Sequence, residues 1–127
     1  MDEIKGDFLH EDITYAVIGC AQKVHGSLGP GFPESVYERA LSQELMLRRI
    51  PFETQRPYEV WYGGACCGQF RLDLLVEGKV VVELKAVGNL IGDHLAQTLS
   101  YLKVTGLRVG LLLNFGKKSL QTQRVVL

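Results

Sequence analysis

The stretch Arg71-Leu72-Asp73-Leu74-Leu75-Val76, continued after Glu77-Gly78-Lys79 by Val80-Val81-Val82-Glu83-Leu84-Lys85, decides how this chain is read. Both segments are rich in Val and Leu and meet at a glycine turn, so they form a hairpin of two strands. Side chains alternate across a strand, which puts Arg71 beside Asp73 and Glu83 beside Lys85. Whether the two pairs meet depends on the turn. An odd loop keeps the charged faces together, and an even one sends Asp73 to the side opposite Glu83. Gly78 suits a three-residue loop with a left-handed glycine and a bulge, the odd case. Two carboxylates converging among apolar strand residues are costly unless something positive lies between them. A hard cation such as Mg²⁺, held by carboxylates, a backbone carbonyl and water, meets that need. A cross-strand salt-bridge lattice, with Arg71 or Lys85 neutralising Asp73, meets it as well, and these residues alone leave both readings open.

Working outward, residues 53–62 and 68–76 alternate as strands separated by Gly63-Gly64-Ala65, and Val80 to Leu84 forms the third. Upstream, Ile13, Val17, Cys20, Ala21 and Val24 recur at helical spacing, with Asp12 as N-cap and Gly29 as the stop. The run Gly29-Pro30-Gly31-Phe32-Pro33 breaks that helix, and Pro33 suits the first turn of another. The second helix carries an apolar stripe of Val36, Ala40, Leu41, Leu45 and Leu47, and ends at Arg48-Arg49-Ile50-Pro51. Downstream, Gly92 to Thr105 is helical through Leu95, Leu99 and Leu102, with Gly106 closing it. Arg108 to Asn114 contains Val109-Gly110-Leu111-Leu112-Leu113, apolar on both faces as a central strand is. Gly116 to Leu127 offers one last short strand, and residues 1–10 read as a weakly ordered lead-in. The order is one helix, then α-β-β-β-α-β. It implies an α/β fold with a mixed central sheet flanked by helices and an additional N-terminal helix.

The 127 residues leave room for one domain, 1–127, with 46% hydrophobic and 22% charged residues, an ordinary globular composition. Fourteen basic and fourteen acidic residues cancel, so no global basic field points to nucleic acid. No apolar run is long enough for a membrane span. Met1-Asp2-Glu3-Ile4-Lys5 lacks the start of a secretion signal, and Cys20, Cys66 and Cys67 show no zinc spacing. A cytoplasmic chain with reduced thiols is the expectation. His10, His25 and His94 have no nucleophile partner of the hydrolase kind, and no G-x-S-x-G elbow or phosphate loop occurs. Tyr58, Trp61 and Tyr62 read as packing rather than as a base-stacking platform.

The Asp73…Glu83-x-Lys85 hairpin, set between two helices, resembles the PD-(D/E)XK nuclease superfamily. Gly31-Phe32-Pro33-Glu34-Ser35-Val36-Tyr37 fits the G-x-x-E-x-x-Y signature of the family named after it. Gln97-Thr98-Leu99-Ser100-Tyr101 looks like the Q-x-x-x-Y motif of RecB-like members. The likeness runs from about Ile13 to Phe115, with one departure: Leu72 stands where the superfamily's name has a proline. It implies a restriction-endonuclease-like fold and a metal-dependent nuclease that uses Mg²⁺ or Mn²⁺ to hydrolyse phosphodiester bonds, in DNA more than in RNA. By the same resemblance Asp73 is the main metal ligand, Glu83 the second, Glu34 the helix-borne acid, the Leu84 carbonyl a further contact, and Lys85 the catalytic lysine. Gln97 and Tyr101 would position DNA or the lysine, and His94 shares their helix face at i, i+3 and i+7. Tyr37, one turn beyond Glu34, is placed with these substrate-side residues, although its spacing equally suits the core. Two rivals remain at this point: a catalytically inactive nucleic-acid-binding module of the same fold, and a non-enzymatic protein-interaction domain. The partner expected is nucleic acid and not a membrane, with a homodimer or larger complex left open.

Overall fold

Helix α1 (Glu11–Leu28) buries Ile13, Val17, Cys20, Ala21 and Val24, the stripe that its spacing requires. The computed structural model describes residues 8–127. Residues 1–7 of the expected lead-in lie outside the described residues, while Leu9 packs on the core and its carbonyl accepts the Arg124 guanidinium. His10, not Asp12, takes the N-cap position, with φ 55°, and its carbonyl accepts the amides of Ile13 and Thr14. Asp12 falls in the first turn, where its charge suits the positive end of the helix. Gly29 ends α1 at φ 68°, its amide donating to the carbonyl of His25. Helix α2 (Glu34–Leu47) starts directly after the extended Pro33 and buries Tyr37, Leu41, Glu44 and Leu45. Leu47 does not join that stripe: it lies two residues past Leu45, on the far side of a 3.6-residue turn, and is exposed.

The sheet contains β1 (Phe52–Tyr62), β2 (Ala65–Val76), β3 (Val80–Lys85), β4 (Val109–Asn114) and β5 (Gln121–Val126), side by side in that order. Only β3 and β4 are parallel, and α3 (Gly92–Thr105) makes the crossover between them. Strand β2 begins earlier than its alternation suggests. Gly63 and Gly64, both at positive φ, close a two-residue turn between Tyr62 and Ala65. The register then slips between Val60 and Trp61, leaving Cys67 as the extra residue, and this bulge hides the strand's start from a period-two reading.

Helices cover both faces. Against α1 and α2 lie Leu74, Val76, Val80, Val82, Leu84, Leu111 and Leu113; against α3 lie Leu72, Leu75, Val81 and Leu112. β4 is buried along its whole length, as its two-faced apolar run requires. Among the described residues no helix is long and apolar enough to cross a membrane.

Candidate active site

The turn of the β2–β3 hairpin holds three residues, the odd count that brings Asp73 opposite Glu83. Register pairs Leu74 with Val82, Leu75 with Val81 and Val76 with Val80. The left-handed geometry begins one residue before the glycine: Glu77 has φ 53° and Gly78 φ 66°, and the Lys79 amide donates to Val76 O at 3.0 Å. The ladder then stops at Leu74 and Val82. Where the next backbone bonds would form, the acids step in. The Asp73 amide donates to Glu83 Oε1 at 3.3 Å, and the Leu84 amide donates to Asp73 Oδ2 at 2.9 Å. The strands therefore part at the two carboxylates, and each carboxylate satisfies an amide that the parting frees.

Alternation also breaks at Asp73. Leu74 and Val76 pack towards α1 and α2, yet Leu72, of the same parity, belongs to the α3 side. Facing Asp73 across β1 is Gln55, left-handed at φ 53°, and the register passes from Thr54–Leu74 to Arg56–Leu72 without it. A non-glycine residue so placed costs on the order of 1–3 kcal/mol. Arg71, expected to share a face with Asp73, instead donates from Nη1 to the Gln55 carbonyl at 3.0 Å and stays exposed.

On the α2 side, Glu34, Ser35, Glu38, Gln55, Asp73 and Leu84 line a pocket of about 160 Å³. Gln55 Nε2 reaches Glu38 Oε1 at 2.5 Å and Asp73 Oδ1 at 3.5 Å. Partial burial pushes the Glu34 carboxyl above its ordinary value; the Lys85 charge opposes that rise and the Asp73 charge adds to it. Burial likewise raises Glu38, against the hydrogen bond from Gln55. Glu83 is 4% exposed, and burial first, then the charge of Asp73 and the hydrogen bond with its side chain, pushes it up to about 9, against the Asp73 amide and the Lys85 charge.

On the α3 side, Lys85 Nζ donates to Gln97 Oε1 at 3.3 Å, joining the hairpin lysine to the exposed glutamine. Tyr101 stacks on Phe70 with centroids 4.1 Å apart. Burial raises its hydroxyl, and the charges of Glu83 and Asp73 raise it further. His94 Nδ1 accepts the Ile91 amide at 3.1 Å, so this ring secures the start of α3. Tyr37 is withdrawn from the surface. It is fully buried, stacks on Phe115, donates to Gly29 O at 2.5 Å and accepts from the Phe32 amide at 3.2 Å. Its place in the core fixes the loop that delivers Glu34. The expectation that Trp61 and Tyr62 serve as packing also fails, for they are 62% and 82% exposed near the hairpin tip. Glu38 and Gln55 escaped the sequence reading. Glu38 had a signal, one turn beyond Glu34 on the same helix face.

Three ion pairs occur among the described residues, Lys23–Glu44, Arg48–Glu44 and Arg56–Glu53, and none involves Glu34, Glu38, Asp73 or Glu83. The salt-bridge lattice is therefore not what the fold builds. Nor, among the described residues, do three His, Cys, Asp or Glu side chains form a cage that could hold a metal by themselves. The opposed Asp73 and Glu83, with Leu84 beside them, form an oxygen donor set. That fits a hard divalent cation, which takes one or two carboxylates and completes its shell with water.

The chain matches the sequence pattern of the PD-(D/E)XK nuclease superfamily over residues 11–125. Among solved structures, the crystal structure of SSO0001 is similar, with a TM-score of 0.57 and 19% identity over 72% of this chain and 48% of that one. This chain thus spans about half the length of that protein, and the likeness is one of fold. No curated protein matches.

Proposed function

The chain belongs to the PD-(D/E)XK nuclease superfamily, and we propose that it hydrolyses phosphodiester bonds, in DNA rather than RNA, with Mg²⁺ or Mn²⁺. One observation carries this reading: two opposed carboxylates at the parting of β2 and β3, with no cationic side chain among the described residues within ion-pair reach. Asp73 and Glu83 would hold the cation with the Leu84 carbonyl, and Glu34 would approach it from α2. A divalent cation bound there supplies a Lewis acid for the phosphate and lowers the pKa of an attacking water. Lys85, steadied by Gln97, orients that water or stabilises charge growing on the phosphate. Tyr101 and Gln97 border the α3 side of the acids and guide the strand, while His94 keeps the helix start in place.

Labelled single- and double-stranded DNA, incubated with and without Mn²⁺, tests the reading. The parent should cleave only with the metal, and Lys85→Ala should cut at least about a hundredfold more slowly. DNA binding should be little changed in that variant. A parent that binds DNA and never cleaves would instead be the inactive binding module. Cleavage that survives loss of Lys85 would remove its catalytic role.

A further inference from the structure

We propose that Gln55, on the edge strand β1 and outside the acid–lysine hairpin, is a positioning residue for Asp73 that acts through its bridge to Glu38; this rests on the metal site proposed above. Three observations converge on it. The first is conformational. Gln55 is left-handed at φ 53° inside a strand, opposite Asp73, where the β1–β2 register passes over it. Such strain persists only where the surroundings impose it, and here the Arg71 guanidinium holds the Gln55 carbonyl at 3.0 Å.

The second observation is where the side chain goes. It lines the pocket with Glu34, Glu38 and Asp73, and its one NH₂ group faces two carboxylates, Glu38 at 2.5 Å and Asp73 at 3.5 Å. An amide nitrogen has two hydrogens, so it can serve both acids at once. The third concerns Asp73 itself. Its Oδ2 is already fixed by the Leu84 amide at 2.9 Å, so Gln55 directs the remaining oxygen. The terminal torsion of an aspartate is otherwise broad. With both oxygens directed, the carboxylate is oriented before any cation arrives. Without the amide, Glu38 and Asp73 would face each other with nothing between them.

A purely structural role predicts something different. Glycine adopts φ 53° without strain, so a residue needed only for the bend would be better replaced by glycine. The test therefore reads two quantities on the full chain: Mn²⁺ affinity by titration with the metal alone, and the melting temperature in chelator. Gln55→Gly should bind Mn²⁺ about tenfold more weakly, the lower end for loss of a residue that orients a ligand. Its metal-free melting temperature should be unchanged or higher. Glu38→Ala should weaken Mn²⁺ binding in the same direction, and the double variant should bind no worse than Gln55→Gly, because the two act as one unit. Parental affinity in Gln55→Gly would overturn the inference. So would a loss of affinity matched by a fall in melting temperature, or additive losses in the double variant. A parent that binds no Mn²⁺ overturns the proposed metal site itself and this inference with it, a result separable from the others by the parent's titration alone.

Discussion

The two halves of the β2–β3 hairpin are built from the same two strands and do opposite things. Near the turn, Leu74, Leu75 and Val76 face Val82, Val81 and Val80 in an unbroken ladder, each no more than 2% exposed. One step further, Asp73 and Glu83 face each other, the ladder has ended, and side-chain oxygens hold the amides in its place. The first half excludes water and pairs in continuous register. The second gives up that order at two acids that form no ion pair among the described residues. Stability and the proposed chemistry thus meet at the end of one register, and the apolar half is what keeps the acids opposed.

Changes on either side of that boundary should separate the two roles. The largest effect is expected in the apolar half. Leu74→Ala removes a fully buried side chain and should cost about 2–5 kcal/mol in denaturant melts, while the folded fraction still binds Mn²⁺ as the parent does. A mild loss there, alongside a larger one at Asp73, would break the contrast.

The next effect is one of pH. Glu83 stands at about 9 in the folded chain against an ordinary 4.5. Below 4.5 both folded and unfolded chains hold that proton; between the two values only the folded chain does. Metal-free stability should therefore fall as pH rises through this window. A cation must displace the same proton, so Mn²⁺ affinity should climb by up to about tenfold per pH unit between about pH 6 and 8. Titrations at three pH values check it, and a flat affinity would show that the proton is not there. The smallest effect is at the helix surface. Gln97→Ala should leave stability within about 0.5 kcal/mol and Mn²⁺ affinity unchanged, yet weaken DNA binding or cleavage by roughly threefold to tenfold, the reach of one hydrogen bond. Unaltered activity would return Gln97 to ordinary helix surface.

Element order and the mixed sheet were legible because long segments carry strong periods: Ile13 to Val24, Leu95 to Leu102, and the two-faced run Val109 to Leu113. The hairpin register was legible too, since Gly78 and the alternating charges favour an odd loop. What stayed hidden lies where local geometry departs from period. Gln55 looks like any polar strand residue, and nothing in its neighbours announces a left-handed backbone. Alternation breaks at Asp73, opposite that residue, and Arg71 turns to the Gln55 carbonyl instead of joining the acids. Tyr37 and Glu34 share a helix and a motif, yet their burial is opposite, and burial depends on what α1 and Phe115 cover.

The most direct test of the account compares thermal melts of the parent and Asp73→Asn, first in chelator and then in Mn²⁺. In chelator the variant should be as stable as the parent or more so, because an asparagine oxygen can still accept the Leu84 amide while the charge beside Glu83 is gone. With Mn²⁺ at about ten times its Kd, the parent should gain about 1.4 kcal/mol and the variant nothing. A parent indifferent to Mn²⁺, together with a destabilised Asp73→Asn, would contradict the metal site and the catalysis assigned to it.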